Sequence, residues 1–202
     1  MRQDDACARP GSPTCCWIRP ERPPQDLIVG VTGSGKSTLA VRLGRATGLP
    51  VHLVDQEFGW LPGWVQRDPG EQRRLALERG AEPSWIFDSA YSHYRSEVAG
   101  RADLIVCLDY RRWVSLARLV RRSVRRVLSR EAVSNGNVET WGTLFSADSI
   151  LRWHATSFAG KRERIRALAD AYGPRKVLRF RSARRAQPWL EGVNASGRIP
   201  WP

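Results

Sequence analysis

The chain has very little lysine: three lysines stand against thirty arginines in 202 residues. So lopsided a usage is open to a codon-bias reading as well as a functional one, and arginine runs alone identify no partner. Cysteine is scarce too. Cys7, Cys15, Cys16 and Cys107 include no C-x-x-C pair, which argues against a zinc site of that spacing. His52, His93 and His154 share no metal-binding spacing, and His154 beside Trp153 reads as structural. No apolar run approaches the roughly 20 residues of a membrane span. The stretch Cys15-Cys16-Trp17-Ile18 is too short for a secretory h-region and lies among Pro and Arg. The expectation is a cytoplasmic protein without a membrane segment.

What is present is more pointed. Gly30-Val31-Thr32-Gly33-Ser34-Gly35-Lys36-Ser37-Thr38 fits the phosphate-binding pattern G-x-x-x-x-G-K-[ST] at every fixed position. Glycines let the backbone curl so that successive N–H groups point at phosphate oxygens. Lys36 places a point charge at the terminal phosphates, and Ser37 offers a hydroxyl to Mg²⁺. Leu27-Ile28-Val29 before the loop reads as a buried strand. Leu39, Ala40, Leu43 and Ala46 after it follow helical spacing, and Gly48 with Pro50 stops that helix. A helix opening at the loop adds the anion-favouring end of its dipole. The rival dinucleotide fingerprint fails, because Thr38 stands where G-x-G-x-x-G needs its last glycine.

The net charge of +13 is uneven. Residues 51–100 carry net −3, residues 101–130 net +7 and residues 161–185 net +8. The C-terminal half therefore attracts polyanions, nucleotides or nucleic acid.

Along the chain, residues 1–24 are rich in Pro, Arg and Cys and read as an irregular, disordered extension. Residues 25–190 read as a single α/β domain, and 191–202 as a loose tail. Strands are expected at Leu27–Val29, Val51–Val54, Trp85–Phe87, Leu104–Leu108 and Lys176–Phe180, the middle three ending in Asp55, Asp88 and Asp109. Helices are expected at 37–47, 71–79, about 112–128, near 148–153, 161–172 and 183–190. The helix at 112–128 should bury a stripe of Val114, Ala117, Val120, Val124 and Val127. Residues 130–147 are polar and glycine-containing, and read as a mobile flap. Strands alternating with helices predict a five-stranded parallel sheet covered on both faces, with ligands at the carboxyl ends of its strands.

Several segments together carry a resemblance: the loop Gly30–Thr38, His52-Leu53-Val54-Asp55, Trp60-Leu61-Pro62-Gly63-Trp64, Trp85-Ile86-Phe87-Asp88-Ser89-Ala90-Tyr91, Ala102 to Asp109, Asn135-Gly136-Asn137 and Asp148 to His154. In their order and spacing they resemble the nucleoside-monophosphate-kinase-like P-loop proteins, in the branch labelled DNA topology modulation protein or adenylate-kinase-related kinase. The resemblance runs from Leu27 to Leu190. It implies the P-loop NTPase fold, ATP as phosphoryl donor, Mg²⁺, a small phosphate acceptor and a helical lid at about 115–147. It implies nucleotide binding by Gly30, Gly33, Ser34, Gly35, Lys36, Ser37 and Thr38, and metal binding by Ser37 with Asp88. Arg118, nine residues after Asp109, takes the place of an arginine that touches transferring phosphates, and Arg122 is its helical neighbour at i+4, read with it as a phosphate clamp. The sequence departs from adenylate kinases after Asp88, where Ser89-Ala90-Tyr91-Ser92 replaces Gly-Phe-Pro-Arg, so AMP is not carried over as acceptor.

The candidate catalytic residues are thus Lys36, Asp55, Asp88, Arg118 and Arg122. Asp55 is open to two readings, a base or hydrogen-bond acceptor for a substrate hydroxyl, or a loop cap. Trp60 and Trp64 either stack on an acceptor base or pack on the helix at 71–79. Asp109 reads as a turn or cap residue, and Arg125 and Arg126 as a solvated surface. The alternative to a small kinase is a nucleic-acid-associated ATP-binding protein acting through the basic C-terminal half.

Overall fold

The computed structural model describes residues 24–146 and 149–200. The extension expected over residues 1–24 therefore lies, apart from Pro24, outside the described residues, as do residue 147 of the flap, residue 148 at the start of the next expected helix and residues 201–202 of the tail.

Strand β1 (Gln25–Gly30) runs into the phosphate loop and then helix α1 (Lys36–Thr47). There follow β2 (Val51–His52), a π-type turn over Asp55–Gly59, β3 (Trp60–Leu61), β4 (Val65–Gln66), α2 (Pro69–Arg79), β5 (Trp85–Phe87) and α3 (Arg95–Arg101). The second half holds β6 (Leu104–Leu108), α4 (Arg112–Ser129), β7 (Ala132–Val133), β8 (Asn137–Val138), α5 (Trp141–Phe145), α6 (Ile150–Tyr172), β9 (Val177–Phe180) and α7 (Ala183–Ser196). Five strands form one parallel sheet in the order β2-β5-β1-β6-β9. β3–β4 and β7–β8 are separate antiparallel pairs.

The sheet is apolar on both faces because both are covered. Leu27, Phe87, Ile105 and Cys107 face one side and pack with Val98 of α3 and Ile165 of α6. Ile28, Ile86, Leu104 and Val106 face the other and pack with Leu39 and Leu43 of α1 and Leu190 and Val193 of α7. The five-stranded core with helices on both faces is the architecture that the alternating pattern implies. Among the described residues no helix is long and apolar enough to cross a membrane.

The structure differs from the sequence expectations in several places. β1 begins at Gln25 rather than Leu27, and Asp26 is fully buried. Central position explains the extra length: Gln25 and Asp26 pair with β5, and the Gln25 amide donates to Asp103. β2 is two residues long, not four. Glu57 turns the chain there, taking the Leu53 amide at 3.0 Å and the His52 ring at 2.8 Å. The two helical patterns after the flap are one continuous helix, α6. α7 runs to Ser196, so residues 191–196 are helix rather than loose tail.

Within the expected flap, residues 130–146 hold the β7–β8 hairpin and α5. Ser134, Asn135 and Gly136 all take positive φ and close the β7–β8 hairpin. Of the expected stripe, α4 buries Val127 and leaves Val114 and Val124 half-buried. Its buried seam is Ser115, Leu119, Ser123 and Val127, while Ala117 and Val120 are exposed. At this seam the Ser115 carbonyl and the Leu119 side chain lie against Gly33 of the phosphate loop, while the Ser115 hydroxyl bonds the His154 ring of α6.

Candidate active site

The site lies at the carboxyl ends of β1, β5 and β2. The loop's curl depends on Gly33, whose φ is +78°. A Cβ there would stand 2.3 Å from the Ser115 carbonyl oxygen. Gly35 takes φ +94° and caps α1. No side chain caps the α1 N-terminus and no acid stands in its first turn. Its opening N–H groups thus meet no competing carboxylate, as an anion site at a helix start requires. The Ser34 hydroxyl is buried in the loop and has no hydrogen-bond partner among the described residues.

Lys36 Nζ donates to the Val31 carbonyl at 3.3 Å, across the loop. Burial lowers its pKa, opposed by the Asp88 and Asp55 carboxylates. Ser37 Oγ donates to Asp88 Oδ2 at 2.5 Å. The other Asp88 oxygen accepts from the Val54 amide at 2.9 Å. This carboxylate, 4% exposed, ties the start of α1 to the ends of β5 and β2. Burial raises its pKa, while the Ser37 and Val54 hydrogen bonds pull the other way. Thr38 is exposed on the first turn of α1.

Asp55 opens the π-type turn and accepts from the Tyr91 hydroxyl at 2.6 Å. It is exposed and near enough to Lys36, Asp88 and Arg122 to influence all three. Burial and the Asp55 charge drive the Tyr91 pKa up, so this hydroxyl stays a donor.

α4 brings two arginines to the loop. Arg118 lies over the Tyr110 ring at 5.3 Å and reaches the Ser34 carbonyl at 3.4 Å. Arg122 is half-buried, and its Nε has no hydrogen-bond partner among the described residues. Burial, then Arg126, lowers its pKa. Arg126 itself pairs with Glu139 at 3.0 Å and Arg125 with Glu131 at 3.2 Å, on the outer part of the helix.

All five candidate catalytic residues therefore gather at one end of the sheet. The structure corrects Asp109. It is neither cap nor part of this cluster, but the buried partner of Arg162 on α6 and Arg179 on β9. Burial pushes its pKa up, but the two guanidinium hydrogen bonds outweigh that and hold it below the ordinary carboxylate range. Trp60 and Trp64 pack edge to face on each other, centroids 5.8 Å apart. Sequence reasoning missed Lys161 of α6, whose Nζ donates to Thr32 Oγ1 at 2.5 Å. The available signal was the scarcity of lysine: two of the three stand at this loop.

The residues present suit a nucleotide and a divalent cation. An uncapped helix start, an orphaned buried hydroxyl at Ser34, an orphaned buried guanidinium nitrogen at Arg122 and the Ser37–Asp88 oxygen pair are the donor set such a group uses.

No protein-family model and no curated protein matches the chain. Solved structures do match. Shikimate kinase from Acinetobacter baumannii in complex with shikimate is similar at TM-score 0.52 and 16% identity, over 86% of this chain and 94% of that one. A gluconokinase from Sinorhizobium meliloti 1021 aligns at TM-score 0.47 and 16% identity, over 87% and 91%. Deoxyadenosine kinase from M. mycoides with bound dCTP aligns at TM-score 0.47 and 12% identity, over 84% and 99%. At these identities the likeness is one of fold.

Proposed function

We propose that this chain is an ATP-dependent phosphotransferase acting on a small acceptor. The observation that carries the reading is the Ser37–Asp88 hydrogen bond at the foot of an uncapped phosphate loop, with Asp55 on the next turn. Lys36 and the loop amides bind the donor's phosphates. Ser37, with Asp88 behind it, would hold Mg²⁺, which neutralises charge on the terminal phosphates. Arg118 and Arg122 match phosphate oxygens with planar donors. Asp55, fixed by Tyr91 through one oxygen, accepts the proton of an acceptor hydroxyl. The acceptor oxygen then bonds the γ-phosphorus, and the bond to the β,γ-bridging oxygen breaks. ADP leaves with that electron pair. Such catalysis needs positioning and charge neutralisation more than covalent chemistry.

A small acceptor is supported by the neighbour at TM-score 0.52, a kinase in complex with shikimate. The resemblance to the topology-modulation branch supports the donor and the lid, and names no acceptor.

The test is ADP release from Mg·ATP across a panel of nucleosides, nucleoside monophosphates and hydroxy acids. Stimulation by one class supports the reading. ATP binding without stimulation by any, together with a steeply salt-dependent shift of nucleic acid, replaces it with the nucleic-acid reading.

A further inference from the structure

Lys161 reaches the phosphate loop from the middle of α6, far away in sequence, and its ammonium touches Thr32, the third residue of the loop. The side chain is half-buried, with its nitrogen 5.3 Å from the centre of the Trp153 ring. The charged groups facing it come from every element around it: Lys36 of α1, Asp55 of the π-type turn, Arg95 of α3 and Arg164 of α6 itself. Three of those four are cations. Gathering like charges against a neutral hydroxyl is a poor way to tether a helix, since Lys36, Arg95 and Lys161 here donate to neutral oxygens and not to a counter-charge. The same gathering is what a multiply charged anion requires. Lys161 thus stands on the Thr32 side of the phosphate loop, within electrostatic reach of Lys36 on the donor side and Asp55 on the acceptor side.

We propose that Lys161 is a second catalytic lysine, contacting the transferring phosphoryl group from the Thr32 side of the loop. The inference rests on the phosphoryl-transfer reading above. In a chain that uses arginine nearly everywhere, the residue type matters. A lysine presents a compact charge, and it can lose its proton where an arginine cannot. Burial, with Lys36 next, pushes the Lys161 pKa down to about 8. The contact is made by the ammonium and is lost as pH rises through that value.

The test compares the affinities of Mg·ATP and Mg·ADP by calorimetry on the full chain. Wild type, Lys161→Ala and Lys161→Arg are measured at about pH 7 and about pH 9.5, on either side of the lowered lysine value. Wild type should prefer ATP at the lower pH and lose most of that preference at the higher. Lys161→Ala should lose about tenfold of the preference at the lower pH, the scale of one charge-assisted hydrogen bond. Lys161→Arg should keep it at both.

An ATP-to-ADP ratio in Lys161→Ala equal to wild type, with a normal melting transition, makes Lys161 a tether and overturns the proposal. Should Lys161→Ala not fold, the arginine variant decides: a preference lost with pH in parallel with wild type overturns it. Equal wild-type affinity for the two nucleotides also overturns it, leaving the phosphotransferase reading standing. A wild type that binds neither nucleotide overturns both.

Discussion

Asp88 accepts from Ser37 and from the Val54 amide at once, and its carboxyl is almost sealed from water. Burial raises its pKa, so the folded state favours the protonated form, and the charge costs stability once pH exceeds the ordinary carboxyl value. Asp88→Asn should therefore melt no lower than wild type at neutral pH, yet lose Mg²⁺-dependent ATP binding; calorimetry with and without Mg²⁺, beside a melting scan, separates the two. Lys36→Ala should abolish that binding with the fold intact. Among the α4 arginines, Arg118→Ala and Arg122→Ala should each lower turnover by about a hundredfold or more while changing ATP affinity little, as for groups that act on charge developing in transfer. Arg126→Ala should do little, because that guanidinium is engaged by Glu139. Equal losses at all three would indicate a diffuse basic face. For Lys161 the stability sign is opposite to the activity sign. Its folded pKa of about 8 lies below the ordinary 10.5. Between those values the unfolded chain holds a proton that the folded chain has lost, so stability rises with pH across that window. Melting wild type against Lys161→Met from about pH 7.5 to about pH 10.5 should show wild type gaining relative to the variant.

Helix α4 and the phosphate loop interlock through small groups. Gly33 is held against the Ser115 carbonyl, and Ser115 Oγ is hydrogen-bonded at 2.9 Å to the buried His154 of α6. Gly33→Ala combines a left-handed backbone with a backbone clash, and should destabilise by about 2–4 kcal/mol, measured by chemical unfolding. The β7–β8 hairpin grips the opposite loop by side-chain amides. Asn135 donates to the Gln56 and Trp60 carbonyls, and Asn137 bonds the Leu61 carbonyl and the Trp64 amide. Asn137→Ala removes the partners of backbone groups in a strained turn, where Trp64 has φ 58°. That change should cost about 1–3 kcal/mol locally, seen as faster hydrogen exchange at the Trp64 amide with global melting little changed.

The central strand organises the molecule. β1 is paired on both sides, with β5 and β6, and the Pro24 carbonyl accepts from the Trp85 amide. A chain beginning at Pro24 keeps every one of these bonds, so it should fold and bind ATP with the affinity of the full chain. Loss of folding in that shortened chain would assign residues 1–23 to the core. The net +13 already subtracts the acidic side chains, so what matters at this scale is where those acids sit. Glu71, Glu78, Glu82, Glu97, Glu131, Glu139 and Asp109 each pair with an arginine, so much of the positive charge is locally answered. Surface pairs of this kind contribute little stability each, but they thin the field available to a polyanion.

Local physics was enough to read the phosphate loop, its strand and its helix. Tight glycine turns, a lysine and a hydroxyl at set spacing are consecutive in the chain, and their chemistry needs no distant partner. Apolar runs likewise revealed β5 and β6, because a strand buried on both faces cannot be polar. The long-range choices were not legible. Asp88 pairing with Ser37, Asp109 clasping Arg162 and Arg179, and Lys161 arriving at Thr32 all join groups more than fifty positions apart. The α4 seam shows why. Hydrophobicity favours its valines, but the buried His154 of α6 gives the Ser115 hydroxyl a partner inside the seam, and only the packed neighbour decides between them. The β7–β8 hairpin was partly within reach, since Asn135-Gly136 is a turn signal in its own right; polarity concealed it, because its order comes from amide bonds to another loop rather than from a buried face. Periodicity reports burial. It carries no record of which charged group a folded neighbour will answer, and that is where this site was assembled.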